Sequence, residues 1–243
     1  MKEVKKERLR LDRFLCSQNQ LTRKEAVKLI KSGAVLVDGN TVITPSIHID
    51  THACSVEMMG VQIQYHKYVY LMMNKPAGVL TASRDSHAKT VMDILPDAYM
   101  RRGLFPAGRL DKDTTGLLII TNDGEYAHKM LQPKKKVYKL YKAYLSYDIK
   151  HECVKLFNNG IHYQNVSYAP ARLEIINDRC AYIEICEGKY HQVKLMFEAC
   201  GNRVKALERL GIGALMLDTK LKHGETRHMT KEEAQMVLLP RRN

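Results

Sequence analysis

Two aspartates and an arginine stand immediately before an apolar run in the segment FPAGRLDKDTTGLLIITNDG, residues 105–124. Arg109, Asp111 and Asp113 precede GLLIIT, a run typical of a buried strand. A carboxylate held at the end of a strand beside a fixed cation stays ionised at neutral pH and can act as a nucleophile or a base. Aspartates near Gly and Thr are also ordinary turn residues. The residues alone therefore leave a catalytic and a structural interpretation open.

The elements that must position these residues are short strands interleaved with short helices. The pattern predicts strands over 69–73, 116–121, 140–147 and 181–186, and helices over 125–131 and 192–199. Strands dominate, and the regular βαβαβ alternation of a parallel sheet is missing. The sequence therefore predicts an α+β fold with a mixed, mainly antiparallel sheet flanked by helices.

Composition points to a nucleic-acid partner. The chain has 243 residues and a formal net charge of +13, and such an excess of positive charge attracts polyanions. No stretch approaches the roughly 20 apolar residues of a membrane span, and the N-terminus lacks the apolar core of a signal peptide. The six cysteines are scattered without a CxxC pair, as in a reduced cytoplasmic protein. Cys/His clusters with metal-ligand spacing are missing too, so we expect no metal.

The positive charge is concentrated at the N-terminus, where residues 1–32 hold ten Lys/Arg against four Asp/Glu. Leu11, Phe14 and Leu15 recur at helical spacing. Thr22 and Glu25 form the sequence pattern of a capping box for a second helix, which Gly33 would end. Two β-prone runs around Asp38-Gly39-Asn40 predict a hairpin. These elements predict a compact unit of about 55 residues, with the domain boundary in the polar stretch that follows.

This N-terminal unit resembles the S4-type RNA-binding domain. The residues that carry the resemblance are RLDRFL (residues 10–15) and LTRKEAVKLIKSGAVLVDGNTV (residues 21–42). It implies that the basic side chains of both helices bind an RNA backbone, although a charged helix face is often merely solvated. We therefore predict an S4-type domain over residues 1–58, a linker over 59–67 and a catalytic domain over 68–243.

The catalytic part resembles the RsuA-type pseudouridine synthases. GRLDKDTTGLLIITNDG matches the signature of that family, whose essential aspartate is the one of GRLD. The resemblance implies that Asp111 is the catalytic residue. It also implies that Arg109 enters the space from which the target base is turned out.

Three further segments match the family in the expected order: NKPAGVLTAS (residues 74–83), VYKLYKAYL (137–145) and EGKYHQVKLMFEACGN (187–202). The second resembles the family's K-x-Y motif, which implies an active-site tyrosine at Tyr141 and the motif lysine at Lys139. The third implies that Lys194 pairs with the catalytic aspartate. Leu195 departs from the pattern, because many members carry arginine there. We leave His191 out of the catalytic set, because a lone histidine is more often structural. The resemblance covers about residues 8–240.

The resemblance implies a cytoplasmic enzyme that converts a uridine of ribosomal RNA into pseudouridine, with no cofactor because no group is added. GKYHQV favours 16S RNA of the small subunit, free or within an assembling subunit, and we expect a monomer. The residues expected to contact RNA are Arg10, Arg13, Arg23, Lys24, Lys28, Lys31, Lys134, Lys135, Lys136, Lys139 and Lys189.

The alternative functions are a non-catalytic RNA-binding assembly factor, a large-subunit synthase and an RNA methyltransferase. A methyltransferase would need a glycine-rich loop for the methyl donor, and the turn NKPAG is not such a loop.

Overall fold

A computed structural model describes residues 7–19, 21–100 and 103–240 of the chain. The described residues form two compact units. The first comprises the chain up to Tyr68 together with Pro96–Leu104, and the second comprises Val69–Leu95 and the chain from Phe105 onward. Across the described ranges, none of the helices has the length and apolar character needed to cross a membrane.

The first unit packs two helices against short strands. The helices are α1 (Leu11–Gln18) and α2 (Arg23–Lys31). The strands are β1 (Arg8–Arg10), β2 (Val35–Val37), β3 (Asn40–Thr41), β4 (His48–Asp50), β5 (Val56–Met58) and β6 (Val61–Ile63). Strands β3, β2, β5 and β6 form one sheet in that order, and β1 pairs with β4.

The predicted start of α2 is confirmed. The Thr22 side chain accepts a hydrogen bond from the Glu25 N–H, and the Glu25 carboxylate accepts one from the Thr22 N–H at 2.8 Å. These two bonds satisfy N–H groups that would otherwise have no partner at the start of the helix. The predicted hairpin is also present, because β2 pairs with β3 across Asp38 and Gly39, which both have positive φ.

The first unit extends further than the sequence indicated. Part of the expected linker, β6, pairs with β5 in register, with Val56 opposite Ile63. The ring of Tyr65 stacks on Phe14, with 5.8 Å between the ring centroids. The strand was missed because β6 lies at the edge of its sheet, where exposed polar residues are tolerated. The domain boundaries themselves remain a prediction.

The second unit is built on a nine-stranded sheet. Its helices are α3 (Gly124–Leu131), α4 (Glu152–Asn159), α5 (Gln192–Ala199) and α6 (Lys231–Met236). Its strands are β7 (Tyr70–Lys75), β8 (Phe105–Ala107), β9 (Thr115–Thr121), β10 (Lys139–Leu145), β11 (Ile161–Tyr163), β12 (Val166–Tyr168), β13 (Arg172–Asn177), β14 (Cys180–Ile185), β15 (Val204–Ile212), β16 (Leu215–Met216) and β17 (Thr226–His228).

The main path of the sheet runs β13-β14-β10-β15-β9-β7-β17, with β16 beside β15 and β8 beside β9. Every pair is antiparallel except β15 with β9, which is parallel. The prediction of an α+β fold with a mixed, mainly antiparallel sheet is confirmed. The separate hairpin of β11 and β12 lies outside this sheet.

A glycine permits the close approach of the parallel strands. Gly116 lies opposite Arg209 in the β9–β15 pair and has a φ of +100°. A Cβ atom built there would lie 2.3 Å from the Arg209 carbonyl oxygen. A larger residue at position 116 would therefore push β15 away from β9 and displace the side chain of Arg209.

Candidate active site

The turn that carries Asp111 is fixed by a buried lysine. Lys75, at the end of β7, is fully buried. Its ammonium nitrogen lies within hydrogen-bond distance of four carbonyl oxygens, those of Pro76 (3.0 Å), Asp111 (3.1 Å), Lys112 (3.2 Å) and Thr114 (2.9 Å), which share its three protons. These carbonyls replace the water that the cation lost on burial. Burial nevertheless lowers the pKa of Lys75 to about 8.

Further hydrogen bonds hold the same turn. The Thr114 N–H donates to the Asp111 carbonyl at 3.1 Å, which closes a turn immediately before β9. The Thr81 hydroxyl donates to the Leu110 carbonyl at 2.8 Å and accepts from the Leu110 N–H at 3.2 Å. The NKPAGVLTAS segment thus supplies two side chains that fix the backbone on both sides of Asp111.

Lys194, in the first turn of α5, faces both aspartates. Its Nζ lies 3.0 Å from Asp111 Oδ2 and 2.6 Å from Asp113 Oδ1. Burial opposes the charge on Lys194, but the hydrogen bonds to Asp113 and Asp111 outweigh it and raise the pKa of Lys194. Burial alone would raise the pKa of Asp113, but the hydrogen bond and the charge of Lys194 lower it, and the net pKa lies below its ordinary value. Both shifts favour the charged forms of Lys194 and Asp113, and Asp111 contacts the same cation.

Asp111 and Tyr141 line one small cavity of about 70 Å³. Tyr141 lies in β10 and is only 8% exposed. The remaining wall is mixed: Leu110, Ile185, Val193 and Leu207 contribute apolar side chains, and Thr114, Lys189, His191 and Gln192 contribute polar ones. Arg109 lies at the rim, where its side chain is exposed. The geometry brings together Arg109, Asp111, Tyr141 and Lys194, the four residues expected from the sequence to form the site.

His191 also reaches Asp111, although sequence reasoning left it out of the site. Its Nε2 lies 3.6 Å from Asp111 Oδ1. His191 precedes α5 in a left-handed conformation, with φ 48° and ψ 26°. Its ring stacks on Tyr190, with 3.9 Å between the centroids, and Tyr190 is 76% exposed. An exposed aromatic stack beside the carboxylate is a surface on which an RNA base can stack.

The basic residues of the first unit surround a buried carboxylate. Asp12 is 1% exposed and forms ion pairs with Arg10 at 2.8 Å and with Arg23 at 3.4 Å. The hydrogen bond from Arg10 lowers the pKa of Asp12. A cavity of about 360 Å³ is lined by these three residues together with Arg13 and Cys16. Lys24, Lys28 and Lys31 are exposed on α2, as RNA contacts would require.

The predicted RNA contacts of the second unit divide into two groups. Lys134, Lys135 and Lys136 are exposed between α3 and β10, and Lys189 is exposed before α5, where it bonds to the Ser167 carbonyl. Lys139 instead is only 7% exposed. It lies in β10 between β14 and β15 on the face that carries Tyr141, so it faces the interior of the site rather than the outer surface.

The site thus holds a carboxylate, fixed through its own backbone and paired with a lysine, that lines a small cavity together with an aromatic side chain. In such an arrangement the carboxylate can act as a nucleophile or a base beside a planar group that stacks on the aromatic ring. In residues 7–19, 21–100 and 103–240, no cluster of three or more His, Cys, Asp or Glu side chains could hold a metal ion.

The chain is similar to known proteins over both units. Residues 69–199 match the RNA pseudouridylate synthase family, and residues 9–52 match the S4 domain. A Bacillus subtilis protein named as an uncharacterized RNA pseudouridine synthase is 43% identical over 96% of this chain and 99% of its own length. The ribosomal small subunit pseudouridine synthase A of Vibrio cholerae is 41% identical, over 94% and 99% respectively. A crystal structure of a pseudouridylate synthase superposes with a TM-score of 0.66 at 34% identity, over 94% of this chain and 99% of that one.

Proposed function

The chain belongs to the RNA pseudouridylate synthase family as an RsuA-type pseudouridine synthase, and we propose that it isomerises one uridine of 16S ribosomal RNA, with Asp111 as the catalytic carboxylate. The small-subunit substrate is supported by the name of the Vibrio cholerae relative, which aligns along almost its whole length. The single observation that carries the role of Asp111 is its position: it pairs with Lys194 at 3.0 Å and lines the same cavity as Tyr141.

The proposed reaction balances without any added group. The bond from C1′ of the ribose to N1 of uracil breaks, the ring turns, and a bond from C1′ to C5 forms. N1 takes up one proton and C5 releases one, so the product is an isomer of the substrate. A catalyst for this reaction needs a carboxylate at the sugar and a means of holding the detached ring, and we propose that it proceeds without a cofactor.

Asp111 can begin the reaction in two ways. Its carboxylate can attack C1′ as a nucleophile, or it can remove the proton from C2′ of the ribose. Both routes require the ionised form, which the paired cation of Lys194 favours. The hydrogen bonds of Lys75 and Thr81 to the backbone of the turn hold the Asp111 carboxylate in position when the substrate binds.

Tyr141 and Arg109 act on the base. The ring of Tyr141 can stack on uracil in the small cavity, and its hydroxyl is available to assist removal of the C5 proton. A uridine within folded RNA must first be turned out of its stack, at a cost of a few kcal/mol. Arg109, exposed at the rim, is suited to fill the vacated position. The exposed lysines of α2 and of residues 134–136 would hold the flanking backbone.

Mapping pseudouridine in ribosomal RNA tests this function. RNA is compared from cells of the source organism with the gene, without it, and without it but complemented with the Asp111→Asn variant. We expect one 16S position to lose its pseudouridine on deletion and to stay unmodified with the variant. Loss of a 23S position instead would assign the enzyme to the large subunit. An unchanged map of both RNAs would contradict a ribosomal substrate.

A further inference from the structure

A second and larger cavity lies beside Tyr141 in the second unit. Its volume is about 600 Å³, within the range of small-ligand sites. Tyr141, Arg109 and Lys189 line both this cavity and the smaller one that contains Asp111. The two spaces therefore adjoin, and a group attached to the target nucleotide can extend from one into the other.

Two buried cations line the larger cavity. Lys139 is 7% exposed and Arg209 is 4% exposed. Lys139 and Tyr141 are two residues apart in β10 and so share a face of the sheet, and Arg209 lies directly opposite Tyr141 in β15. The three side chains consequently point to the same face.

The hydrogen bonding of these cations is incomplete. Arg209 Nε donates to the Leu117 carbonyl at 2.7 Å, but Arg209 Nη2 is buried without a hydrogen-bond partner. Lys139 Nζ lies 3.4 Å from the Cys186 carbonyl oxygen, which is a long bond. Buried polar groups in native proteins are nearly always satisfied by protein, water or ligand, so Arg209 Nη2 is available to donate to an acceptor that enters the cavity.

The acidic residue that lines the cavity is already hydrogen-bonded to other groups. Glu187 also lines the cavity, but its Oε1 accepts from the Ala169 N–H at 2.8 Å and from Gln192 Nε2 at 2.9 Å. Across the described ranges, no salt bridge joins Lys139 or Arg209 to a carboxylate. Burial and the neighbouring Arg209 lower the pKa of Lys139 to about 8. An anion entering the cavity would relieve this repulsion.

We propose that Lys139 and Arg209 form a subsite for a backbone phosphate of the RNA, at a linkage adjoining the target uridine. This proposal rests on the proposed function, which supplies the RNA substrate. It adds that a backbone phosphate of that RNA is the group recognised by Lys139 and Arg209. Phosphate fits because it is the one anionic group that every nucleotide carries, and because a guanidinium can donate two parallel hydrogen bonds to it. Uracil is neutral and would leave the two charges uncompensated. The subsite would thus fix the register of the strand while Tyr141 holds the base.

A first experiment measures the anion site without any RNA. Thermal unfolding of the full chain is followed with uridine, uridine 5′-monophosphate or inorganic phosphate. We expect the two phosphates, and not uridine, to raise the midpoint. The shift should vanish in Lys139→Met and persist in Lys142→Met, whose side chain lies on the opposite face of β10. A shift that survives in Lys139→Met, or no shift with either phosphate in the wild type, would overturn the subsite.

A second experiment asks whether the anion is the RNA backbone. A 16S fragment is made with a neutral methylphosphonate at single linkages near the target uridine, and its binding is measured. For the wild type, the methylphosphonate at one linkage adjoining the target should weaken binding by about tenfold or more, as expected when a charge-assisted contact is lost. The same change should cost Lys139→Met no more than about twofold. Equal losses in both proteins, or indifference to every linkage, would show that the backbone does not occupy this site.

The thermal stability of Lys139→Met distinguishes a phosphate-binding role of Lys139 from a purely structural one. Lys139→Met removes a buried, poorly paired cation and keeps the volume, so without phosphate the variant should unfold at the same midpoint as the wild type or a higher one. A lower midpoint would mean that Lys139 supports the fold and would contradict the proposal. If the mapping shows that the substrate is not 16S RNA, the proposed substrate fails, while the nucleotide titration still decides whether the anion site exists.

Discussion

The ammonium group of Lys75 lies 3.1 Å from the backbone carbonyl oxygen of Asp111. The side chain of Asp111 is therefore presented by a turn whose backbone is tied to a buried charge in β7. The carboxylate itself is left free for Lys194 and for the substrate. Such support of a reactive group through its backbone fixes its position without neutralising it.

Replacing Lys75 with methionine should lower both stability and activity. The substitution keeps the volume but leaves four carbonyl oxygens without their shared donor. We expect a loss of about 2–4 kcal/mol in the free energy of unfolding and a fall in kcat at a temperature where the variant is folded. Denaturant unfolding and single-turnover assays measure the two effects. Lys112→Met, an exposed lysine in the same turn, is the control, and an equal loss there would contradict the role of Lys75.

The lowered pKa of Lys75 predicts a pH dependence. The pKa is about 8 in the folded chain, against an ordinary value of 10.5. Between these two values the unfolded chain binds more protons, so this residue makes stability rise with pH. The free energy of unfolding of the wild type, minus that of Lys75→Met, should increase by roughly 1–3 kcal/mol from pH 8 to pH 10.5. Urea titrations at several pH values test this. A difference that falls with pH would show that the folded chain holds the Lys75 proton more tightly than the unfolded chain does.

Tyr141→Phe should reduce turnover more than binding. The phenylalanine ring can still stack on uracil, but the hydroxyl that would assist proton removal at C5 is gone. We expect kcat to fall by at least about tenfold while Kd for the RNA stays within a few-fold. Tyr144→Phe, an exposed tyrosine in the same strand, should change neither. Equal losses in kcat and affinity for Tyr141→Phe would make Tyr141 a binding or folding residue.

The lysines of α2 should contribute to the salt dependence of RNA binding. Each phosphate contact lowers log K by roughly 0.7–0.9 per log unit of salt. Replacing Lys24, Lys28 and Lys31 with glutamine should therefore make the slope shallower by up to about 2–3 if each lysine contacts one phosphate. A variant with the same charge change elsewhere, Lys150, Lys155 and Lys205 to glutamine, is the control because these lysines are exposed in the second unit. An unchanged slope for the α2 variant would mean that α2 is only a solvated surface.

Local signals in the sequence predicted much of this structure. The capping box of Thr22 and Glu25, the hairpin at Asp38-Gly39 and the strand after Asp111 all follow from nearest neighbours in the chain. The ion pair between Asp111 and Lys194 could not be predicted from the spacing of these residues in the sequence. It was expected only because the surrounding motifs resemble those of a known family.

The missed features depend on contacts between distant parts of the chain. Lys139 was grouped with its neighbouring lysines as an RNA contact, and that role remains a prediction; its burial beside Tyr141 could not be predicted because it depends on how the rest of the unit packs on that face of β10. Lys75 ends an apolar strand, and a lysine there could have suggested a buried cation, yet its acceptors belong to a turn far along the sequence. His191 contacts Asp111 from a left-handed backbone conformation, which nothing in the local sequence indicated.

The most direct test of the account is the turnover of Asp111→Asn. The change removes the reactive charge but keeps shape and hydrogen bonding, so pseudouridine formation on a 16S fragment should fall by at least about 100-fold while RNA affinity stays within a few-fold. Asp148→Asn, which affects an exposed ion pair with Arg179, should retain full activity. Release of tritium from uridine labelled at C5 measures the rate. A purified Asp111→Asn enzyme that still turns over at one tenth of the wild-type rate would contradict the assignment of Asp111 as the catalytic carboxylate.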